Sequence, residues 1–418
     1  MRSEDISAAF VGCLDLSDGN ANNVAYSQPA ILFQERMLEG LKQEGIEVSA
    51  AFSQRAVASF PAGEKLWYGA KRVAIRDRFP TVLLPFVNFG PVKTITGGMA
   101  LFPLLLHWAW KHRRVRNRAI LLYNVTSPPG IVSLLAGRLT GTKVIALVAD
   151  IQVPGSGDYP GTILRRLEYL LATRTLDRFD GLITITSNIA RDFAPHTPNI
   201  TMEGAIPDDW IGEGGCRADS ADDPGTEAGD IILMYAGYLT EMKGVPLLLD
   251  AFARLDGGNF RLWITGKGKL QSLVEDAAKR DPRITFWGFP PYERVLEMYR
   301  NASILINPHS TLLRSARYLF PSKLIEYLAT GRPVISTCSD PGRNGEYRDL
   351  FFPLVDETPE GLAEQIRRVA AMPETERRSV GARGRDFVLE RKTWKVQSSR
   401  IAGFIRQIAG TKFCADER

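Results

Sequence analysis

The chain reads as an α/β protein carrying two doubly wound, mostly parallel sheets. Three observations point there. Apolar stretches of strand length alternate with helical patterns through the first half, the same alternation restarts in the second half, and a polar glycine-rich segment separates them. A length of 418 residues gives room for two domains with ample cores.

The elements follow in order. Residues 8–14 read as a first strand, and 28–43 as an amphipathic helix. Glu44-Gly45-Ile46-Glu47-Val48 ends that helix and starts a second strand. Further strands are expected at 81–86, 119–123, 143–148, 181–186 and 200–202, with helices at 98–114, 131–139 and 163–177. Residues 1–211 are thus expected to form one Rossmann-like domain. Residues 212–229, rich in Gly, Asp and Ser, read as an exposed connection. A second Rossmann-like domain is expected over 230–385, with strands at 231–236, 260–265, 284–289 and 303–307. Residues 386–418 form a basic tail, within a helical stretch running from 375 to 409. Trp394, Val396, Ile401, Phe404 and Ile405 supply its apolar stripe.

Composition removes several classes. Hydrophobic content of 44%, charged content of 24% and a net charge of +5 are ordinary for a globular protein and carry no nucleic-acid signal. Cys13, Cys216, Cys338 and Cys414 show no paired spacing, which argues against a zinc site or a disulfide framework and fits a reducing cytoplasm. No signal peptide is read at the start, and no uninterrupted run of about 18 apolar residues exists to span a bilayer.

The most informative run is Phe320-Pro321-Ser322-Lys323-Leu324-Ile325-Glu326-Tyr327. Pro321 suits a first helical position, and Gly331 suits the left-handed residue that ends the helix. Such a helix offers N–H groups and a positive dipole end to an anion. Lys323 would add charge, and Glu326 would accept hydrogen bonds from sugar hydroxyls. Phosphate and sugar would then be served by one element, as a nucleotide-sugar diphosphate needs. An ordinary helix packed between strands is the plainer reading of the same residues.

Three motifs in order raise the first reading. They are Gly237-Tyr238-Leu239 leading to Lys243-Gly244, the turn Gly266-Lys267-Gly268, and the Phe-Pro-Ser-Lys-Leu-x-Glu-Tyr run. Together they resemble the donor-binding half of GT-B glycosyltransferases, the large bacterial group of retaining enzymes classed as family 4. The resemblance covers the second half well and the first half in topology only. It implies two Rossmann-like domains facing across a cleft, with the acceptor on the first, a nucleotide-sugar donor on the second, and the tail crossing back to the first. It also implies retaining transfer without a metal or a separate cofactor, the leaving phosphate itself taking the acceptor's proton. The absence of an Asp-x-Asp triplet agrees.

Residue by residue, the resemblance makes Lys243 a phosphate contact and Glu326 a ribose contact. Relatives place an arginine after the first glycine, where this chain has Tyr238. Arg314 or Arg317 would restore that charge through a bidentate fork. Relatives also place a glutamate eight residues before Glu326, where this chain has Tyr318. Gly266 and Gly268 would let backbone approach the nucleotide. Phe320, Ser322, Lys323 and Leu324 belong to the signature, and His309 either meets the donor or is a plain loop histidine. In the first half, Asp18 and Gly19 lie in a loop after the first strand. Asp150 follows the strand at 143–148 and would orient the acceptor or act as a base, or simply cap a turn. The rival functions are an epimerase of the same fold and a catalytically silent partner in polysaccharide assembly, the latter resting on Tyr238 and Tyr318.

A last expectation concerns membranes. Five of the eight residues 111–118 are Lys or Arg, and they follow an apolar stretch containing Trp108 and Trp110. Residues 98–118 therefore read either as an interfacial contact with anionic lipid or as a buried helix with a cationic end. The first alternative would suit a lipid-linked glycan acceptor in bacterial surface-polysaccharide synthesis, on the inner face of the cell membrane.

Overall fold

The structure, a computed structural model, describes residues 6–15, 28–75, 79–90, 92–156, 161–211, 229–257, 259–337 and 346–410. Asp18, Gly19 and the expected connection at 212–228 lie outside them.

Two compact units emerge. The first contains, in chain order, β1 (Ile6–Asp15), α1 (Gln28–Gln43), β2 (Ile46–Arg55), β3 (Trp67–Tyr68), β4 (Lys71–Ile75), β5 (Phe79–Leu83), β6 (Phe86–Val87), α2 (Val92–Lys111), β7 (Asn117–Tyr123), α3 (Pro129–Thr140), β8 (Lys143–Val148), α4 (Ile163–Thr175), β9 (Gly181–Thr184), α5 (Ser187–Phe193) and β10 (Asn199–Thr201). The second contains β11 (Ile231–Ala236), α6 (Val245–Phe252), β12 (Phe260–Thr265), α7 (Gln271–Arg280), β13 (Ile284–Phe286), α8 (Tyr292–Asn301), β14 (Ile304–Asn307), α9 (Lys323–Ala329), β15 (Val334–Ser336), β16 (Phe352–Pro353), α10 (Pro359–Ala371) and α11 (Glu374–Arg391). A last helix, α12 (Trp394–Ala409), clusters with the first unit.

The sheet of the first unit runs β10-β9-β8-β7-β1-β2-β5-β4, parallel except for the antiparallel pair β4–β5. β3 and β6 form a separate two-stranded antiparallel sheet. The expected strand at 81–86 is therefore two pieces, β5 and β6, divided by Leu84 and Pro85. α2 begins at Val92, before the expected 98, because its two glycines serve packing. A Cβ on Gly98 would fall 2.9 Å from the Pro128 ring.

The helical stretch expected over 375–409 is two helices, broken at Lys392 and Thr393. α12 lies against α1, where a Cβ on Gly40 would meet the Ser398 hydroxyl at 1.8 Å, and the Trp394 ring packs edge-on to Phe33 at 5.2 Å. Trp394, Ile401, Phe404 and Ile405 are buried, but Val396 is only half-buried. The units change at Met202/Glu203 and Thr393/Trp394, with Gly155 and Ser156 also in the second, rather than at 211 and 385.

The sheet of the second unit runs β13-β12-β11-β14-β15-β16, all parallel. Strand order reverses between β11 and β14. In open α/β sheets ligands bind outside the carboxyl ends of the strands at such a reversal. Leu233, Leu262, Ile264, Ile304 and Ile306, all fully buried, anchor the strands beneath that edge.

Candidate active site

The carboxyl ends of β11 and β14 deliver two loops to the switch point, Gly237–Gly244 and Pro308–Ser310. They are joined backbone to backbone: the Ser310 N–H donates to the Met242 carbonyl at 3.0 Å. Gly244, at φ +74°, faces Pro308 so closely that a Cβ would lie 1.9 Å from its carbonyl oxygen. The turn after β12 closes in from the other side. The Leu239 N–H donates to the Lys267 carbonyl at 3.0 Å, and the Leu270 N–H to the Leu239 carbonyl at 3.0 Å. Gly266, at φ +142°, leaves no space for a side chain, since a Cβ would fall 1.8 Å from the Gly237 oxygen. On Gly268 a Cβ would fall 2.4 Å from the Leu239 oxygen. Glycine is required here by backbone contact as well as by conformation.

His309 stands at the centre of this arrangement, 1% exposed, with neither ring nitrogen hydrogen-bonded. Burial, and then the charge of Lys243, pushes its imidazole down to about 3. The ring is thus neutral across the physiological range, with one N–H to give and one lone pair to fill. Buried polar groups are nearly always satisfied, so the two ring nitrogens keep hydrogen-bonding capacity for a water or a ligand group. The buried Thr240 hydroxyl in the neighbouring loop also has no partner.

The signature run folds differently from its expected role. α9 starts at Lys323, with Ser322 before it in helical conformation and making no side-chain cap. The Leu324 and Ile325 N–H groups donate to the Pro321 and Ser322 carbonyls at 2.7 and 3.2 Å, so this first turn does not present them to an anion. Gly331 follows at φ +74°. Lys323 does not project as an unpaired cation: its Nζ lies 2.8 Å from Glu326 Oε2. Burial opposes the Lys323 charge, but Glu326 outweighs it and raises the pKa above the ordinary lysine value. Phe320 and Leu324 are buried, Phe320 against Tyr347 at 5.7 Å, so their side chains hold the helix in place.

Four tyrosines surround the Lys323–Glu326 pair, of which the signature run contains only Tyr327. The Tyr327 hydroxyl accepts the Ala236 N–H at 2.8 Å and donates to the Ala236 carbonyl at 3.2 Å, tying α9 to the end of β11. The Tyr235 hydroxyl donates to the Tyr238 carbonyl at 2.9 Å. Burial first, and the Glu326 charge next, push the Tyr292 and Tyr299 phenols up. Tyr299 packs edge-on to Tyr327 at 5.2 Å, and its buried hydroxyl has no partner. One signal was available: Tyr292 and Tyr299 are seven residues apart on α8, two turns on one face.

The remaining candidates divide. Lys243 is half-buried beside His309, Tyr238 is exposed, and Arg314 and Arg317 stand exposed on a one-turn 3-10 helix, Arg314–Tyr318. That turn is pinned by Ser315, whose N–H donates to the Ser156 hydroxyl at 3.0 Å. In the first unit Asp150 lies just past β8 and accepts the Asn124 side-chain amide at 3.2 Å. Asn124 adopts φ +54° and its Oδ1 accepts the Ala149 N–H at 2.8 Å, so it clamps the ends of β7 and β8 together. Among the described residues no three His, Cys, Asp or Glu side chains gather as a metal site would require.

Residues 230–372 match the family described as Glycosyl transferases group 1. Over 192 residues the chain is 26% identical to a GDP-mannose-dependent alpha-(1-6)-phosphatidylinositol dimannoside mannosyltransferase of Mycobacterium tuberculosis. That match spans 44% of this chain and 46% of the relative, so about half of each is compared. Two solved structures share the fold along nearly the whole chain. Sucrose-phosphate synthase from Thermosynechococcus elongatus superposes with a TM-score of 0.67 at 17% identity, covering 97% of this chain and all of its own. Anabaena HepE, solved with UDP and glucose, superposes with a TM-score of 0.64 at 14% identity, covering 96% and 99%. Residues 230–372 thus match the glycosyl transferases group 1 family, on a chain whose fold is that of the GT-B glycosyltransferases.

Proposed function

We propose that the protein is a retaining, metal-independent glycosyltransferase that takes a sugar from a nucleotide-diphosphate sugar. The observation that carries this reading is the neutral, unsatisfied His309 beside Lys243, at the point where three glycine turns bring backbone together. A diphosphate supplies what the site lacks. Lys243 offers charge to the leaving oxygens, His309 an N–H, and the Lys323–Glu326 pair leaves one Glu326 oxygen to accept from ribose hydroxyls. In the transfer, the bond from the anomeric carbon to the diphosphate breaks and the acceptor oxygen bonds to that carbon on the same face. Its proton passes to the leaving phosphate. No dedicated base and no cofactor is then needed.

The first unit would hold the acceptor, with Asp150 orienting a hydroxyl under the Asn124 clamp. The mycobacterial relative is named for a phosphatidylinositol mannoside acceptor, and by analogy a lipid-linked glycan of a bacterial surface polysaccharide suits this chain. Residues 98–118 would lie near the membrane on the inner face. No described helix is long and apolar enough to cross a membrane.

The test is donor turnover with a panel of nucleotide sugars in the presence of a chelator, with the anomeric configuration of the product read by NMR. A retained configuration, unaffected by chelation and lost in Lys243→Ala, supports the reading. Strict dependence on a divalent metal contradicts it. A folded protein that binds no nucleotide would favour a silent partner.

A further inference from the structure

Helix α4 is built the reverse way from a helix that covers a sheet. Its buried positions are Ala172 and Thr173, while Ile163 is 77% exposed, Leu164 62%, Leu167 50% and Leu171 44%. At about 100° per residue these four aliphatics share one stripe roughly 100° wide, and that stripe faces outward. On α3 next to it, Leu135 and Leu139 are exposed in the same way. Both helices are crossovers between successive parallel strands moving one way along the sheet, so the right-handed rule puts them on the same face.

The exposed charges on the two helices are of one sign, with exposed Asp177 just beyond the end of α4. Arg138 on α3 and Arg165, Arg166 and Arg174 on α4 are all exposed. The two helices carry a single acid, Glu168, which is turned inward, half-buried and accepting the Ser127 N–H at 2.7 Å. Aliphatic side chains among arginines, on two helices that expose no carboxylate of their own, suit a surface that is apolar below and anionic above.

We infer that the outer face of α3 and α4 docks on an anionic lipid bilayer, with α4 lying in the headgroup–acyl boundary. The 13 residues of α4 span about 20 Å, short of the roughly 30 Å needed to cross. Lying flat, the helix inserts Ile163, Leu164, Leu167 and Leu171 while Arg174, within the stripe, and Arg166, on its flank, take lipid phosphates; Arg165 points the other way and bonds Gln152 at 3.3 Å. A second copy of the chain fits the face less well, because a two-fold contact would set these arginines against themselves. The location also departs from the stretch singled out in the sequence. Of residues 98–118, Leu101, Leu105 and Trp108 are buried, Trp108 donating to Ser49 Oγ at 2.9 Å, which leaves Met99 and Trp110 as isolated exposed large hydrophobics, Trp110 with Arg113 at 4.5 Å from its ring. The inference does not depend on the transfer reaction.

The experiment is co-sedimentation of the full chain with vesicles of phosphatidylcholine, with and without phosphatidylglycerol. Binding is expected only with phosphatidylglycerol, weakened by salt, and reduced about tenfold or more in Leu164→Ser/Leu167→Ser and in Arg166→Gln/Arg174→Gln. These side chains are exposed, so the unfolding midpoints of both variants should match the wild type. Absence of binding to anionic vesicles, or binding that both variants retain, overturns the inference. So does a wild-type dimer that Leu164→Ser/Leu167→Ser dissociates while vesicles capture neither form.

Discussion

Lys323 Nζ lies 2.8 Å from Glu326 Oε2, one turn apart on α9, inside a ring of tyrosines. The pair joins the two functions that the signature run was expected to divide. Glu326 holds the lysine charged, and the lysine holds the carboxylate in place. Glu326→Ala should weaken donor-nucleotide binding about 10- to 100-fold, the worth of one or two hydrogen bonds to a charged group. Glu326→Gln should lose less. Because the Lys323 pKa is raised, the pair's contribution is complete below the ordinary lysine value and lost only as pH rises beyond it. Titration calorimetry from about pH 7 to about pH 9 should therefore find no change in affinity arising from this pair.

His309 makes an acid-side prediction of opposite sense. Its folded pKa, about 3, is below the unfolded value of 6.5. Stability from keeping it neutral is complete above about pH 6.5 and lost as pH falls from there toward 3. Between about pH 7 and pH 5 this one group should remove about 2 kcal/mol of unfolding free energy. Urea denaturation of wild type and His309→Asn at both pH values checks it. The variant should show a shallower pH dependence; an equal slope would remove His309 as the cause.

Gly266→Ala tests the backbone contact at the switch point. The added methyl would sit 1.8 Å from the Gly237 oxygen, at φ +142°, where L-residues are rarely found. Loop displacement and backbone strain together should cost about 2–5 kcal/mol and abolish nucleotide-induced stabilisation. Thermal unfolding with and without nucleotide separates the two effects.

Glu203 and Lys392 form a fully buried pair, 2.9 Å apart with both side chains 1% exposed. Lys392 also lies 5.3 Å from the Tyr347 ring centroid and 5.5 Å from that of Phe387. Removing Glu203 leaves Lys392 in a dry site with Glu346, at 3.8 Å, as its remaining carboxylate. Glu203→Gln should lower stability by about 3–5 kcal/mol, read as a fall in urea midpoint, while Glu203→Gln/Lys392→Met should recover part of that loss.

Much of the fold was legible because its strands are buried on both faces and read as plain apolar runs. β8 and α1 stand where the periodicity placed them. β4, Lys71–Ile75, was not legible, since an exposed edge strand with two basic residues carries no core signal. The start of α2 was hidden by Gly97 and Gly98, which read as a break and serve instead as packing surfaces. The glycine turns and Lys243 could be found by motif. The pairing of Lys323 with Glu326 was implicit in their three-residue spacing, yet the choice between phosphate contact and ion pair depends on what surrounds them. The tyrosine ring draws on β11, α8 and α9, which the sequence holds far apart. Only the fold brings them to one place.

The most direct measurement is thermal-shift stabilisation by a panel of nucleoside diphosphates and their sugars, with a chelator present, on wild type, Lys243→Ala and Glu326→Ala. Ligand that binds only the folded state raises the midpoint by mass action. The account predicts one preferred nucleotide, a shift that the chelator does not alter, and loss of most of that shift in both variants. A wild-type protein that unfolds normally but responds to no nucleotide, or a shift that both variants keep, would contradict it.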